Sequence, residues 1–390
     1  MTMTPAAGNI LVFVNSPAGT ALSERGLQVA RAAAPAKVLH REQGRLKAIA
    51  GFCGAVARER PETVYGIDNA LAVVCGALVG RLLWGSQFIL DSGDAVGPLR
   101  AKLARGNLIG GTLGSLLEKT GYLLATTVVA RSSGLAERVR SLSRKPVVVI
   151  PDGFDSAQLP AANGDESRRR WGWSAAHLVV GVIGSAVWNE RLNWCYGRDV
   201  IEAVARTKRD EVRGALIVRG NGVPRLRELA AQLGVADRVV FETPFDGYAV
   251  YEQIRGFDVG LSTQTNDAVG QCRTSGKLVQ YLAAGVYILA SRVGEAARVL
   301  PDAMTVPYEG AWDEQYFARL AQRIDGLPAR PARPALRQLA AAVNHSLSER
   351  FEYAGLRLRW GELLRAPKWP LEAAADSPFS PIGSGGKEPA

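Results

Sequence analysis

The chain has 390 residues, enough for two domains of ordinary size. Hydrophobic residues at 47% and charged residues at 22% are globular proportions, which excludes disorder as the main state. The net charge of +10 is concentrated: residues 1–150 hold 18 Lys and Arg against 9 Asp and Glu, residues 151–350 hold 24 against 23, and residues 351–390 hold 5 of each. No dense Lys/Arg run interleaved with aromatics accompanies this excess, so a nucleic-acid partner is not expected.

Met1–Gly8 shows no basic region followed by an apolar core, so no secretory signal is expected and the protein is placed in the cytoplasm. Asn9–Val14 is a short apolar run, Asn15–Thr20 a Pro/Gly turn, and Ala21–Ala34 a helix. Strand, Gly-bearing turn and helix open a doubly wound α/β domain. Thr63–Tyr65 reads as a weak strand. Ala70–Trp84, interrupted by Arg81, is too short to span a membrane and reads as a buried helix. Gln87–Leu90 is a strand ending in Asp91-Ser92-Gly93-Asp94. Thr126–Ala130 is a strand, Ser132–Ser141 a helix, and Pro146–Ile150 a strand running into a Pro/Gly-rich turn.

The polar stretch Pro160–Arg170 reads as a linker, after which the alternation restarts. Strands are expected at Leu178–Ile183, Ala215–Val218, Arg238–Glu242, Val259–Ser262 and Val286–Ala290. Helices are expected at Arg198–Thr207, Arg225–Leu233, Tyr248–Arg255 and Gly276–Ala284. Strands near five residues alternating with helices near ten are the signature of parallel sheets. The expected fold is α/β, with two doubly wound Rossmann-like domains facing a central cleft. The expected boundaries are 1–150 and 151–350, then a helix over 351–366 returning to the first domain, and a disordered tail over 367–390.

Cys53, Cys75, Cys195 and Cys272 form no CxxC pair, and no His stands at ligand spacing from them, so reduced thiols are expected rather than a metal site. His40, His177 and His345 occupy no obvious site. No GxGxxG follows Val14 or Ile183, which argues against a dinucleotide dehydrogenase.

Val147–Leu159 (VVVIPDGFDSAQL) resembles the domain-joining segment of glycosyltransferases of the GT-B architecture, and Val128–Ser133 (VVARSS) its preceding strand. Ser275–Ser291 (SGKLVQYLAAGVYILAS) resembles the Lys-Leu, Tyr-Leu-Ala-Ala-Gly and apolar strand of retaining transferases of glycosyltransferase family 4. The resemblance covers residues 125–366 well and residues 9–124 in outline. It implies a nucleotide-sugar donor as co-substrate, no cofactor and usually no metal. It also implies front-face attack, in which the leaving diphosphate helps to take the acceptor proton.

A diphosphate calls for helix N-termini and fixed cations. Arg273-Thr274-Ser275-Gly276-Lys277 opens a helix that Thr274 and Ser275 can cap, with Arg273 and Lys277 flanking its terminus. This turn either holds the donor diphosphate or is a capped helix with two solvated cations. Gly184 ends a strand before Arg191, which either meets the phosphates, as the resemblance implies, or is a surface residue. Gln280 stands where the family often has a Glu on the ribose hydroxyls. The earlier Glu of that pair would fall near Cys272 and is absent, which also admits a degenerate, inactive homologue. Gly19 is either a plain turn glycine or, by the resemblance, part of the loop facing the donor phosphates. Asp94 can orient or deprotonate an acceptor hydroxyl, with Asp91 as a competitor that can instead cap the next segment.

Gly97–Gly121 carries Arg100, Lys102 and Arg105 among seven Leu and Ile residues. It offers a basic amphipathic helix either for anionic lipid or a lipid-diphosphate acceptor, or for packing on the core. The expected function is transfer of a hexose from a nucleotide sugar to a hydroxyl acceptor in envelope or exopolysaccharide assembly. Another GT-B enzyme such as a nucleotide-sugar epimerase, or a non-catalytic scaffold, are the rivals.

Overall fold

The computed structural model describes residues 9–103, 108–190, 193–329 and 332–365. These fall into two compact units. One takes the chain up to Asp152, the four residues Gln271–Thr274, and the chain from Tyr353 onward; the other takes Gly153–Gly270 and Ser275–Glu352. The expected tail over 367–390 lies outside the described residues.

The first unit is built on a parallel sheet of β1 (Ile10–Val14), β2 (Ala36–His40), β3 (Thr63–Ile67), β4 (Gln87–Ser92), β5 (Thr127–Ala130) and β6 (Val147–Val149). Their order is β2-β1-β3-β4-β5-β6. All five residues of β1 are buried. A parallel strand covered on both faces requires such a continuous apolar run. Leu11 and Phe13 pack on one side with Phe52, Val56, Val73 and Ala77. Ile10, Val12 and Val14 pack on the other with Val29, Leu356 and Trp360. The last helix, Tyr353–Arg365, thus belongs to this unit and lies beside helix Ala21–Ala32.

Strand β2 and helix Arg45–Glu59 have no counterpart in the sequence reading. Strand β2 is a half-exposed edge whose Lys37 breaks its apolar run. Helix Leu71–Trp84 corrects the expectation of a buried helix. It buries Ala72, Val73, Val74, Gly76, Ala77 and Gly80 but leaves Leu71, Leu82 and Leu83 more than half exposed.

The second unit has β7 (Leu178–Ser185), β8 (Val212–Arg219), β9 (Val239–Glu242), β10 (Val259–Ser262), β11 (Tyr287–Ser291) and β12 (Thr305–Val306). These too are parallel, in the order β12-β11-β10-β7-β8-β9. The polar stretch read as a linker is part of this unit. It forms helix Asp165–Arg170, whose Arg168 is buried and paired with Asp258 at 2.9 Å. Helices Gly294–Val299, Tyr316–Asp325 and Ala332–Phe351 follow β11 in a region the sequence reading leaves blank.

Each sheet reverses its strand order once, between β1 and β3 and between β7 and β10. Ligands of doubly wound sheets bind outside the carboxyl ends of the strands at such a reversal. The four cysteines are free thiols.

Asp91, in β4, is wholly buried and does not cap the next segment. Its carboxylate accepts from Arg25 Nε and Arg131 Nε, each at 2.8 Å, and from the Tyr65 hydroxyl at 2.6 Å. Burial alone would raise its pKa; the two guanidinium groups outweigh that and hold it below its ordinary value. Replacing Asp91 with Asn strands two buried cations and costs about 3–5 kcal/mol, read as a lower urea midpoint at unchanged slope. A carboxyl with a depressed folded pKa stabilises fully above its unfolded value and loses that stabilisation as pH falls through the folded one. The gap between wild type and variant therefore closes below about pH 4.

Candidate functional site

At the carboxyl end of the second sheet, β7 and β10 pair only through Val180–Val259 and Gly181–Gly260. Beyond that they part, and the Tyr281 hydroxyl fills the opening. It accepts from the Ile183 N–H at 3.2 Å and donates to the Leu261 carbonyl at 3.1 Å. This bridge satisfies two backbone groups that would otherwise be orphaned and keeps the strands apart where a ligand would enter. Gly184 follows immediately, with φ +144, a conformation that side chains disfavour.

Lys277 lies against that glycine. A Cβ built on Gly184 would sit 3.4 Å from Lys277 Cε and 3.5 Å from Nζ. Lys277 is 9% exposed, and its ammonium stands 3.3 Å from the centroid of the Tyr196 ring. Among the described residues no acceptor lies within hydrogen-bond reach of Nζ and no carboxylate within ion-pair distance. A buried ammonium with three unused donors, over an aromatic face and with its nearest carboxylate beyond ion-pair distance, is one that an anion would satisfy.

Three side chains that the sequence reading misses shape this spot. Asp199 is wholly buried; it accepts from the N–H groups of Gly197 and Val200 and from the Thr263 hydroxyl at 2.7 Å. Burial pushes its pKa up, against the Thr263 hydrogen bond and the charge of Lys277. Thr263, the first residue after β10, also meets the Tyr316 hydroxyl at 3.1 Å. Gln264 reaches the Tyr196 hydroxyl at 3.3 Å. The ring under Lys277 and the carboxylate near it both follow β7, and both are held across the strand reversal by residues just after β10. Nothing local in the sequence marks Tyr196, Asp199 or Thr263; the fold brings them to Lys277.

The helix Gly276–Ala284 begins where expected, with Ser275 as its N-cap. The expected capping is corrected: Ser275 makes no capping hydrogen bond, and the Thr274 hydroxyl donates to the Arg131 carbonyl at 2.9 Å. Among the described residues the first N–H groups of this helix have no side-chain acceptor. Ser275 is buried, and Gln280, three residues beyond Lys277, is half-buried with no hydrogen bond among the described residues. Arg191 lies outside the described residues.

Arg273 precedes the N-cap Ser275 in the chain. It belongs with the first unit, where its Nε donates to Asp94 Oδ1 at 2.7 Å; the pair is about one-third exposed on each side. Ser132 fixes the same four-residue segment by donating to the Cys272 carbonyl at 2.6 Å. The first unit thus joins two candidate residues that the sequence reading gave separate roles. Gly19, at φ +80, lies exposed just before Thr20, which caps helix Ala21–Ala32. Nothing lies within 4 Å of where its Cβ would be, so the backbone angle is what demands glycine there. Among the described residues no group of three or more His, Cys, Asp or Glu side chains could hold a metal ion.

Two doubly wound parallel sheets in one chain, each with a strand reversal, define the GT-B glycosyltransferase fold, and this chain has it. The structure is similar to sucrose-phosphate synthase from Thermosynechococcus elongatus, with a TM-score of 0.69 and 17% identity over 92% of this chain and 98% of that one. It is also similar to Anabaena HepE in complex with UDP-glucose, with a TM-score of 0.68 and 16% identity over 92% and 99%. At these identities the likeness is one of fold. In sequence, the D-inositol 3-phosphate glycosyltransferase of Stackebrandtia nassauensis is 29% identical over 234 residues, 56% of this chain and 49% of that protein. The chain spans about half the length of the curated relative it matches. No family model matches the chain.

Alanine at Asp94 and Arg273, singly and together, measures whether their pair is scaffold or site. A half-exposed ion pair contributes about 0.5 kcal/mol of coupling to stability. Urea denaturation is expected to return a value of that order, and a coupling above about 2 kcal/mol would make the pair structural.

Proposed function

We propose that the protein is a retaining glycosyltransferase that moves a hexose from a nucleotide-diphosphate sugar to a hydroxyl acceptor, in envelope or exopolysaccharide assembly. The observation that carries this reading is the buried ammonium of Lys277, out of ion-pair reach of every carboxylate among the described residues and beside Gly184 at the strand reversal. The UDP-glucose complex of HepE, a protein of the same fold, supports the choice of donor. The name of the curated relative supports transfer to a hydroxyl.

In this reading Lys277, Ser275 and the open N–H groups of helix Gly276–Ala284 take the donor diphosphate. Gly184 lets the ligand approach the backbone closely, and Arg191 adds a second cation. Gln280 offers its amide to the ribose hydroxyls. Asp94, steered by Arg273, orients the acceptor hydroxyl, with Thr274 anchoring the segment that carries Arg273. Gly19 gives the first unit an open turn at the end of β1. The acceptor oxygen attacks C1 from the face the diphosphate leaves, and the leaving diphosphate takes the acceptor's proton. That scheme calls for no protein nucleophile, no cofactor and no metal.

The first unit also carries a surface suited to an anionic membrane. Leu82 and Leu83 of helix Leu71–Trp84 and Leu113 and Leu116 of helix Leu108–Leu124 are more than half exposed. Arg81, Arg100 and Lys119 are exposed on the same helices and on helix Val96–Leu103. Exposed apolar side chains together with cations bind anionic headgroups at about 1 kcal/mol per cation. No helix among the described residues is long and apolar enough to cross a membrane.

A thermal-shift panel of nucleoside diphosphates and nucleotide sugars tests the donor. UDP or UDP-glucose should raise the melting temperature by mass action, and Lys277→Ala should weaken that ligand at least tenfold. Unchanged affinity in this variant would sink the diphosphate assignment. Flotation tests the membrane surface: the protein should rise with vesicles containing phosphatidylglycerol and stay down with neutral ones. Leu82→Glu together with Leu116→Glu should abolish flotation, as should high salt.

A further inference from the structure

The second unit holds a cavity of about 460 Å³ that the donor reading does not use. Ala162, Asn163, Asp165, Arg255, Arg333 and Arg337 line it. It sits at the opposite end of the sheet from Lys277. Arg255 and Ala284 come just before β10 and β11, at their amino ends, whereas Gly184 and Thr263 mark the carboxyl ends. The cavity size falls in the range of small-molecule sites.

Four guanidinium groups converge here. Arg168 is occupied through both terminal nitrogens: Nη1 pairs with Asp258 and Nη2 donates to the carbonyls of Ser174 and His177. Arg337 donates to the carbonyls of Ala284, Gly285, Arg255 and Phe257. Arg333 pairs with Asp165 at 2.8 Å and donates to the carbonyls of Asn163 and Arg255. Arg255 uses only Nη1, on the carbonyls of Pro160 and Ala162. Among the described residues Arg255 Nε and Nη2 and Arg337 Nε have no acceptor.

Carbonyls satisfy donors but cancel no charge. Against four cations stand two carboxylates, Asp165 on Arg333 and the buried Asp258, which Arg168 shares at 2.9 Å with Arg333 Nε at 3.6 Å. The first turn of the twenty-residue helix Ala332–Phe351 carries Arg333 and adds its positive end. The field shows in Arg337: burial, together with the charges of Arg333, Arg255 and Arg168 and against Asp258, pushes its pKa down to about 10. Arg255 is also pushed down, by burial.

We propose that this cavity binds a phosphomonoester, with Arg255 as its principal ligand and Arg333 and Arg337 adding charge beside it, at a site separate from that of the donor diphosphate. A phosphate supplies the missing negative charge and accepts in the fork geometry that guanidinium groups present. The cavity exceeds what inorganic phosphate fills, which favours a phosphorylated sugar over the bare ion. The proposal stands independently of the donor reading, since it shares no residue with it.

The test uses the full chain, with ribose 5-phosphate and inorganic phosphate as probes and ribose at matched ionic strength as control. Calorimetric titration should show ribose 5-phosphate binding to wild type and to Lys277→Ala within twofold of each other. Arg255→Gln and Arg333→Gln should each weaken it at least tenfold. Ala162→Asp keeps every arginine and places a carboxylate in the cavity. It should raise the melting temperature without ligand and remove the response to ribose 5-phosphate. No binding by wild type overturns the proposal, as does binding lost in Lys277→Ala but kept in the arginine variants. If those variants fail to fold, a wild-type response from folded Ala162→Asp overturns it equally. Inorganic phosphate binding as tightly as ribose 5-phosphate would overturn the assignment to a phosphorylated sugar.

Discussion

The first unit depends on one buried carboxylate. Asp91 stands in the middle of its sheet with no solvent exposure, and an ionised group there is tolerated only with full compensation. Arg25 brings helix Ala21–Ala32 to it, Arg131 brings the end of β5, and Tyr65 brings β3. The compensation extends outward. Arg25 also holds the Ile150 and Pro151 carbonyls, fixing the chain beyond β6. The Tyr65 hydroxyl accepts from Trp360 Nε1, and the Arg25 guanidinium lies 4.9 Å from that indole ring, which ties in the last helix. The Arg131 carbonyl then receives Thr274, so the network also sets the segment that carries Arg273. Placement of the candidate residue Asp94 thus follows from a charge buried three residues earlier.

The two units treat buried charge in opposite ways. Around Asp91 every charge has a partner of opposite sign in direct contact, which is how a scaffold spends ionisable residues. Around Lys277 the ammonium is buried without such a partner, and the nearby Asp199 turns its oxygens to backbone N–H groups and Thr263 instead. A charge left uncompensated inside a fold destabilises it, so its persistence asks for a ligand. The same contrast separates the arginine cavity from the buried Arg168–Asp258 pair beside it.

How much of this could be read from residues alone depended on exposure and locality. Strands buried on both faces, such as Ile10–Val14, betray themselves as apolar runs. The edge strand Ala36–His40 does not, because a half-exposed edge tolerates Lys37 and needs no continuous run. Helix Arg45–Glu59 did carry a usable signal: Ala48, Phe52, Ala55 and Val56 fall on one face. Of the site, Lys277 was legible through the motif around it. Its neighbours were not, since Tyr196, Asp199 and Thr263 come from three separate segments. The bond from Arg273 to Asp94 was not legible either, since Arg273 lies ahead of the N-cap Ser275 and helix spacing says nothing of a partner so far away in the chain.

The charge with which the chain opens changes meaning once residues are assigned to units. The first unit gains Arg273 with its segment from a region of the sequence that is otherwise nearly neutral. Two of its cations, Arg25 and Arg131, are buried and offset by Asp91, with Asp68 and Asp152 nearby. The excess is therefore carried by exposed residues such as Arg81, Arg100 and Lys119, where it acts on the surroundings rather than on the fold. In the second unit near-neutrality hides a local imbalance. Four guanidinium groups crowd one end of the sheet and a lone ammonium waits at the other, while acidic residues elsewhere balance the total. Net charge by domain is thus a guide to the outer surface, and candidate anion sites emerge only when each buried cation is matched to its acceptor.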